Sequence, residues 1–154
     1  MTDNAEMTNN TEMTSTEILE QWKTCVEMAN SVSQRRDTMN NIFVTLNLAV
    51  ITAVSLVWDM KSLLILLAGI VVCILWMRII KNYKLLNTAK FDVIAHIENK
   101  LPYQPFVKEW NELKQNKKYV DGTKLERALP VTFIVIYGVA AIVLSIIKLI
   151  GGVR

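Results

Sequence analysis

The sequence predicts an all-α membrane protein with three transmembrane helices, the first two forming a long antiparallel helical hairpin that continues into a cytoplasmic stalk. Three observations lead there. Ile42 to Trp58 and Ser62 to Met77 are two uncharged apolar runs separated only by Asp59-Met60-Lys61. Each is close to the shortest helix that crosses a hydrocarbon core of roughly 30 Å. A three-residue polar tip between them allows only an antiparallel hairpin. A third apolar run, Leu129 to Ile147, is ended by Lys148. A chain of 154 residues is too short to bury such helices inside a soluble core.

The charge pattern orients these spans. Of the 17 Lys and Arg residues, 14 lie either before the first span or between Arg78 and Arg127. The positive-inside rule places both segments in the cytoplasm, with the tip and the C-terminus outside. The first 41 residues contain no apolar signal region, so the first span is expected to act as an uncleaved anchor.

Taken in order, residues 1–14 read as a disordered polar tail in which Glu-Met-Thr occurs twice. Thr14 and Glu17 form a capping-box pattern that starts a helix. Ile18, Trp22, Cys25, Ala29 and Val32 recur at helical spacing, and no proline occurs before Pro102. One helix is therefore predicted from Ser15 to Trp58. A second runs from Ser62 to Leu101, where Pro102 stops it. The hairpin unit is thus 15–101, with spans at about 42–58 and 62–80. Beyond the membrane the two arms form a coiled-coil-like stalk in which residues equidistant from Met60 face each other. That register sets Lys23 opposite Glu98, Glu20 opposite Lys100, and Asp37 near Lys84.

Residues 102–127 then form a turn at Leu101-Pro102-Tyr103-Gln104-Pro105, a short amphipathic helix over Phe106 to Lys118, and a loop at Tyr119 to Thr123. The amphipathic helix can rest on the inner leaflet, with Trp110, Lys114, Lys117 and Lys118 at lipid headgroups, or Trp110 can pack on the stalk. The third span covers 128–150, with Pro130 expected in its first turn, and 151–154 is a tail.

Chemistry-bearing patterns are scarce. His96 is the only histidine, and the sequence has no CxxC, no HExxH and no glycine-rich phosphate loop. No catalytic, cofactor-binding or metal residue is assigned, and the chain is expected not to be an enzyme. Lys117-Lys118 is too short a basic run for nucleic acid. Cys25 and Cys73 are too far apart in the predicted topology to pair, so two free thiols are expected. Two membrane-embedded patterns stand out. Asn41, Thr45, Thr52 and Ser55 fall on one face of the first span, either lining a water-filled lumen or bonding across a helix interface. Gly138, Ala141 and Ser145, next to Tyr137, make a small-residue ridge on the third span suited to close contact between subunits.

A string of spaced residues carries a family resemblance: Arg35-Arg36, Asn40-Asn41 and Phe43; Tyr83, Lys90-Phe91, Val93-Ile94, Glu98 and Leu101-Pro102; Glu109-Trp110, Tyr119, Glu126, Pro130, Phe133 and Tyr137. In these the chain resembles the RipA-type octameric membrane proteins of bacteria from Cys25 to Tyr137 and departs at Lys114 to Lys117. The resemblance implies a bacterial inner-membrane homo-oligomer, an octamer, and brings no catalytic residues. The expected function is a membrane scaffold or sensor whose cytoplasmic helical ring engages an unidentified protein partner, alongside membrane lipid. The second hypothesis is an oligomeric pore lined by the polar stripe.

Overall fold

The computed structural model describes residues 14–57 and 59–151, and these form four helices. Of the predicted tails, 1–14 and 151–154, residues 1–13 and 152–154 lie outside the described residues, and Gly151 is the last residue of the fourth helix. Helix α1 is Ser15–Val57, α2 is Ser62–Glu98, α3 is Pro105–Gln115 and α4 is Gly122–Gly151. Three of them, α1, α2 and α4, are long and apolar enough to cross a membrane.

The start of α1 is a reciprocal cap. The Thr14 amide donates to Glu17 Oε2 at 2.8 Å, and the Glu17 amide donates to Thr14 Oγ1 at 3.3 Å. With no breaker in 43 residues, α1 extends about 65 Å. The tip turns on Asp59, whose carboxylate accepts from the amides of Lys61 and Ser62. These bonds satisfy two of the free donors at the start of α2.

Helix α2 lies between α1 and α4, whose backbones come close at few points and which meet mainly through side chains. Near the tip, Val54, Leu66, Cys73, Tyr137 and Leu144 form one buried cluster. A second holds Phe43, Trp76 and Ile80, with the Trp76 and Phe43 rings stacked 5.5 Å apart. The Trp76 indole donates to Asn40 Oδ1 at 2.8 Å.

Helix boundaries differ from the sequence expectation in three places. Helix α3 covers Pro105–Gln115 rather than Phe106 to Lys118, because Asn116 turns to an extended conformation and its amide closes the last turn on the Glu112 and Leu113 carbonyls. Helix α2 ends at Glu98 rather than Leu101, because Asn99 to Leu101 already form tight turns in which the Lys100 and Leu101 amides reach only three residues back. Helix α4 begins at Gly122, well ahead of Pro130, which is inside the helix and buried. Asp121 starts it by accepting the Thr123 amide on Oδ1 at 2.9 Å, so the Tyr119 to Thr123 loop is shorter than expected. Pro130 has no N–H for the Glu126 carbonyl, yet the helix continues on both sides.

The equidistant register holds, but with other partners than the charges suggested. Glu98 faces Trp22, and its Oε1 accepts the Trp22 indole N–H at 3.2 Å. Lys23 instead pairs with Glu20 one turn away, and Lys84 pairs with Asp121 rather than Asp37. Glu98 is drawn from Lys23 by a stronger demand. Helix α3 starts with no side-chain cap of its own, and the Phe106 and Val107 amides both donate to the Glu98 carboxylate, at 3.2 and 3.1 Å. An anion at a helix N-terminus meets both the free donors and the positive end of the helix dipole. Phe106 then packs its ring 5.9 Å from Trp22 and 5.7 Å from Phe91.

Glu98 is fully buried, so its removal leaves two amides and an indole without an acceptor. Glu98→Ala should cost about 1–3 kcal/mol locally and free the α3 segment. Limited trypsin digestion should then cut at Lys108 and Lys114 several-fold faster than in the parent, while the three spans stay intact.

Candidate functional site

The residues with chemistry to offer gather in three places: a knot inside the spans, a tier of ties where α4 meets the hairpin, and the faces that the chain leaves uncovered.

The knot centres on Asn47, which is completely buried. Its Oδ1 accepts the Tyr137 hydroxyl at 2.7 Å and the Cys73 thiol at 3.0 Å, while its Nδ2 donates to the Phe43 carbonyl at 2.7 Å. The Tyr137 hydroxyl also lies 3.2 Å from the Asn47 carbonyl. Three helices thus converge on one amide at membrane depth, where an unmet polar group costs several kcal/mol. Asn47 and Cys73 are equidistant from Met60, the register signal that marks the pair in the sequence. The need of a buried Tyr137 hydroxyl for an acceptor could have completed it. Gly69 makes room for the tyrosine, since a Cβ there would sit 2.7 Å from Tyr137 Cε2 and 3.0 Å from a Val50 methyl.

The ties come next. Arg36 donates through Nε to Glu126 Oε2 at 2.8 Å and through a terminal nitrogen to Thr123 Oγ1 at 2.9 Å. Thr123 is buried, and the Arg36 and Glu126 side chains are mostly so. Lys84 donates to Asp121 Oδ2 at 2.6 Å, with both side chains around two-fifths exposed. That bond, followed by the one from the Thr123 amide, pulls the Asp121 carboxyl down to about 2. The first residues of α4 therefore supply carboxylates to both arms of the hairpin.

Of the stripe on α1, Asn41, Thr45, Thr52 and Ser55 are all exposed on the chain. The three hydroxyls donate back to carbonyls one turn earlier, on Asn41, Leu48 and Ile51. Of the ridge on α4, Tyr137 turns into the chain's own core with no exposure. Ala141 packs against that core, and Ser145 is exposed and bonds its own helix at the Ala141 carbonyl. A methyl group added at Gly138 would meet nothing within 4 Å. Trp110, Lys114, Lys117 and Lys118 are exposed, with the Lys114 ammonium 5.4 Å from the Trp110 ring centre and Tyr119 edge-on to it at 6.5 Å. Cys25 and Cys73 are both free thiols.

A level along the arm can be assigned to α3. Phe106 sits at Glu98, roughly 27 Å beyond Ile80 at 1.5 Å per residue, whereas Asp121 is back at Lys84, only about 6 Å beyond it. The segment between them returns toward the spans alongside α2. Trp110, one turn from Phe106, stays some 20 Å past the apolar run, and a headgroup layer is only about 5–8 Å deep.

This architecture defines a three-span helical membrane protein whose hairpin extends well past its apolar runs. Residues 19–147 match the model of the octameric membrane protein family (8xMP), and the chain belongs to that family, a homo-oligomeric class. No curated protein and no solved structure matches it.

Two pairs of substitutions test the site. Gly69→Ala should destabilise the spans by about 1–3 kcal/mol through overpacking against Tyr137, whereas Gly138→Ala should leave thermal unfolding of the subunit unchanged. In the tier, Arg36→Ala should cost about 1.5–3 kcal/mol, because Glu126 and Thr123 lose a charged partner. Lys84→Ala should cost under ~1 kcal/mol, since solvent screens that pair. The Lys84–Asp121 contribution has a definite pH sign. The folded carboxyl titrates below its ordinary value of 3.8, so the contribution is complete above that value and disappears as pH falls toward about 2. The difference in melting between the parent and Asp121→Asn should therefore stay constant between pH 8 and pH 5 and shrink only as pH falls toward about 2.

Proposed function

We propose that this chain is the subunit of an octameric scaffold or sensor in the bacterial inner membrane, with its N-terminus and residues 81–127 in the cytoplasm. The observation that carries this reading is the rigid join between span and arm. Helices α1 and α2 run without a break from the apolar runs into the arm. Arg36 and Lys84 clamp the foot of that arm to α4, and Glu98 closes its far end around Trp22 and α3. Such a unit holds a cytoplasmic surface at fixed height above the bilayer, and eight copies make a ring that can engage a protein partner. The role is one of binding rather than catalysis. Lys117 and Lys118, beside the returning chain at Tyr119, are the lysines best placed to meet anionic headgroups.

A pore is the second reading, favoured by the exposure of Asn41, Thr45, Thr52 and Ser55 on one side of the subunit. It is the weaker one, because the three hydroxyls are already bonded within α1 and do not require a water-filled lumen.

Orientation is tested directly. In a Cys25→Ser background, Met60→Cys should react with a membrane-impermeant maleimide added to intact cells, and Gln115→Cys should react only after the membrane is opened. Labelling of Gln115→Cys alone in intact cells would invert the topology and remove the cytoplasmic ring.

A further inference from the structure

One apolar surface lasts longer than the membrane. On the side of α2 away from its buried residues, Leu64, Leu67, Val71 and Leu75 are exposed along the span, as expected for lipid-facing positions. Arg78 and Lys81 mark the end of the apolar run. Yet the same side continues with Leu85, Leu86, Ala89 and Val93, all exposed, with Leu85 60% and Val93 52% accessible. Their three- and four-residue spacing is that of a helix-packing stripe. At 1.5 Å per residue they lie about 8 to 20 Å past Ile80, beyond the reach of lipid tails. Among the described residues nothing of their own chain covers them either, because α1, α3 and the start of α4 all meet α2 on its other side, at Glu98, Phe91 and Lys84. Family membership supplies the occupant, since an octamer needs a subunit surface.

A closed ring around the membrane normal adds a geometric condition. Each subunit must offer two different surfaces that meet head to tail at the same height. The second surface is present. Trp110, Tyr119, Val120 and Leu125 are exposed, Leu125 to 64%. Leu125 is two residues, about 200° around the helix, from the buried Thr123, so it points away from the hairpin. The heights agree to within about one helical turn at both ends. Leu125 is adjacent to Glu126, which Arg36 holds, and lies about 6 Å from the level at which Asp121 meets Lys84. Trp110, one turn from Phe106, falls near the level of Val93.

We infer that the α2 stripe Leu85–Leu86–Ala89–Val93 of one subunit packs against the Trp110–Tyr119–Val120–Leu125 patch of the next copy, closing the octamer outside the bilayer. The contact seals apolar surface that neither lipid nor the described part of the chain covers. It concerns assembly alone and stands whether the ring serves as scaffold or pore.

Membranes containing the Cys25→Ser protein with Leu85→Cys and Leu125→Cys together, treated with a short bismaleimide, should yield a ladder of cross-linked multimers. Each single cysteine should give none, while co-expression of the two singles should give dimers. A pair that links only within one chain, or does not link, overturns the assignment. So does a Leu85→Cys single that dimerises, because that would make the contact symmetric. Independently, Leu85→Glu with Val93→Glu should reduce native-size complex in mild detergent by at least half. Complexes of full size from that variant refute the interface, and would leave the patch to another protein.

Discussion

An amide placed among hydrocarbon has to find its partners inside the protein, and the three spans are arranged around that requirement at Asn47. One side-chain oxygen accepts from Tyr137 on α4 and from Cys73 on α2, and the nitrogen is returned to α1 itself. Packing alone gives little preference in lipid, because a leucine is as well solvated by acyl chains as by another leucine. The bonds at Asn47 therefore do what apolar contacts cannot. They single out one register for the hairpin and one height for α4. Gly69 is part of the same arrangement, since only a residue without a side chain lets the tyrosine ring lie across α2.

The spans and the arm were readable from the sequence for different reasons. Three uncharged runs, a three-residue tip and a prolonged 3-4 spacing determine the hairpin almost without reference to tertiary structure, and its register about Met60 followed from facing charges. The partners did not. Lys23 and Glu98 are opposite as numbered positions, but an exposed ion pair contributes little, whereas the first amides of α3 have no other acceptor. Pro130 misled in a related way. Proline suits a first helical turn, yet Asp121 and the Arg36–Glu126 pair start α4 earlier and hold it through the missing bond. Of the site residues, the faces of stripe and ridge follow from helical periodicity. Which face turns inward does not, and Tyr137 is the example: it adjoins the ridge in sequence and points into the core in space.

Six of the residues that carry the family resemblance have a common physical task. Arg36 and Glu126 tie α1 to α4, Asn40 and Phe43 receive Trp76, Glu98 caps α3, and Tyr137 meets Asn47. They join elements distant in the chain, so their spacing records the tertiary fold rather than a reaction. This explains why a string without any catalytic signature can identify the family.

The knot also has an order of assembly written into it. Synthesis proceeds from the N-terminus at about 5–20 residues per second, so Tyr137 is made roughly 3–13 seconds after Cys73. During that interval the nascent hairpin can set its register with Asn47 and Cys73, but the amide oxygen has only a weak thiol donor. The incomplete hairpin thus carries an acceptor with a lone pair to spare in its groove, and the phenol arriving on the third span answers it. The late segment is recruited by a vacancy that the early segments create, which makes insertion of the last span also the step that locks the first two.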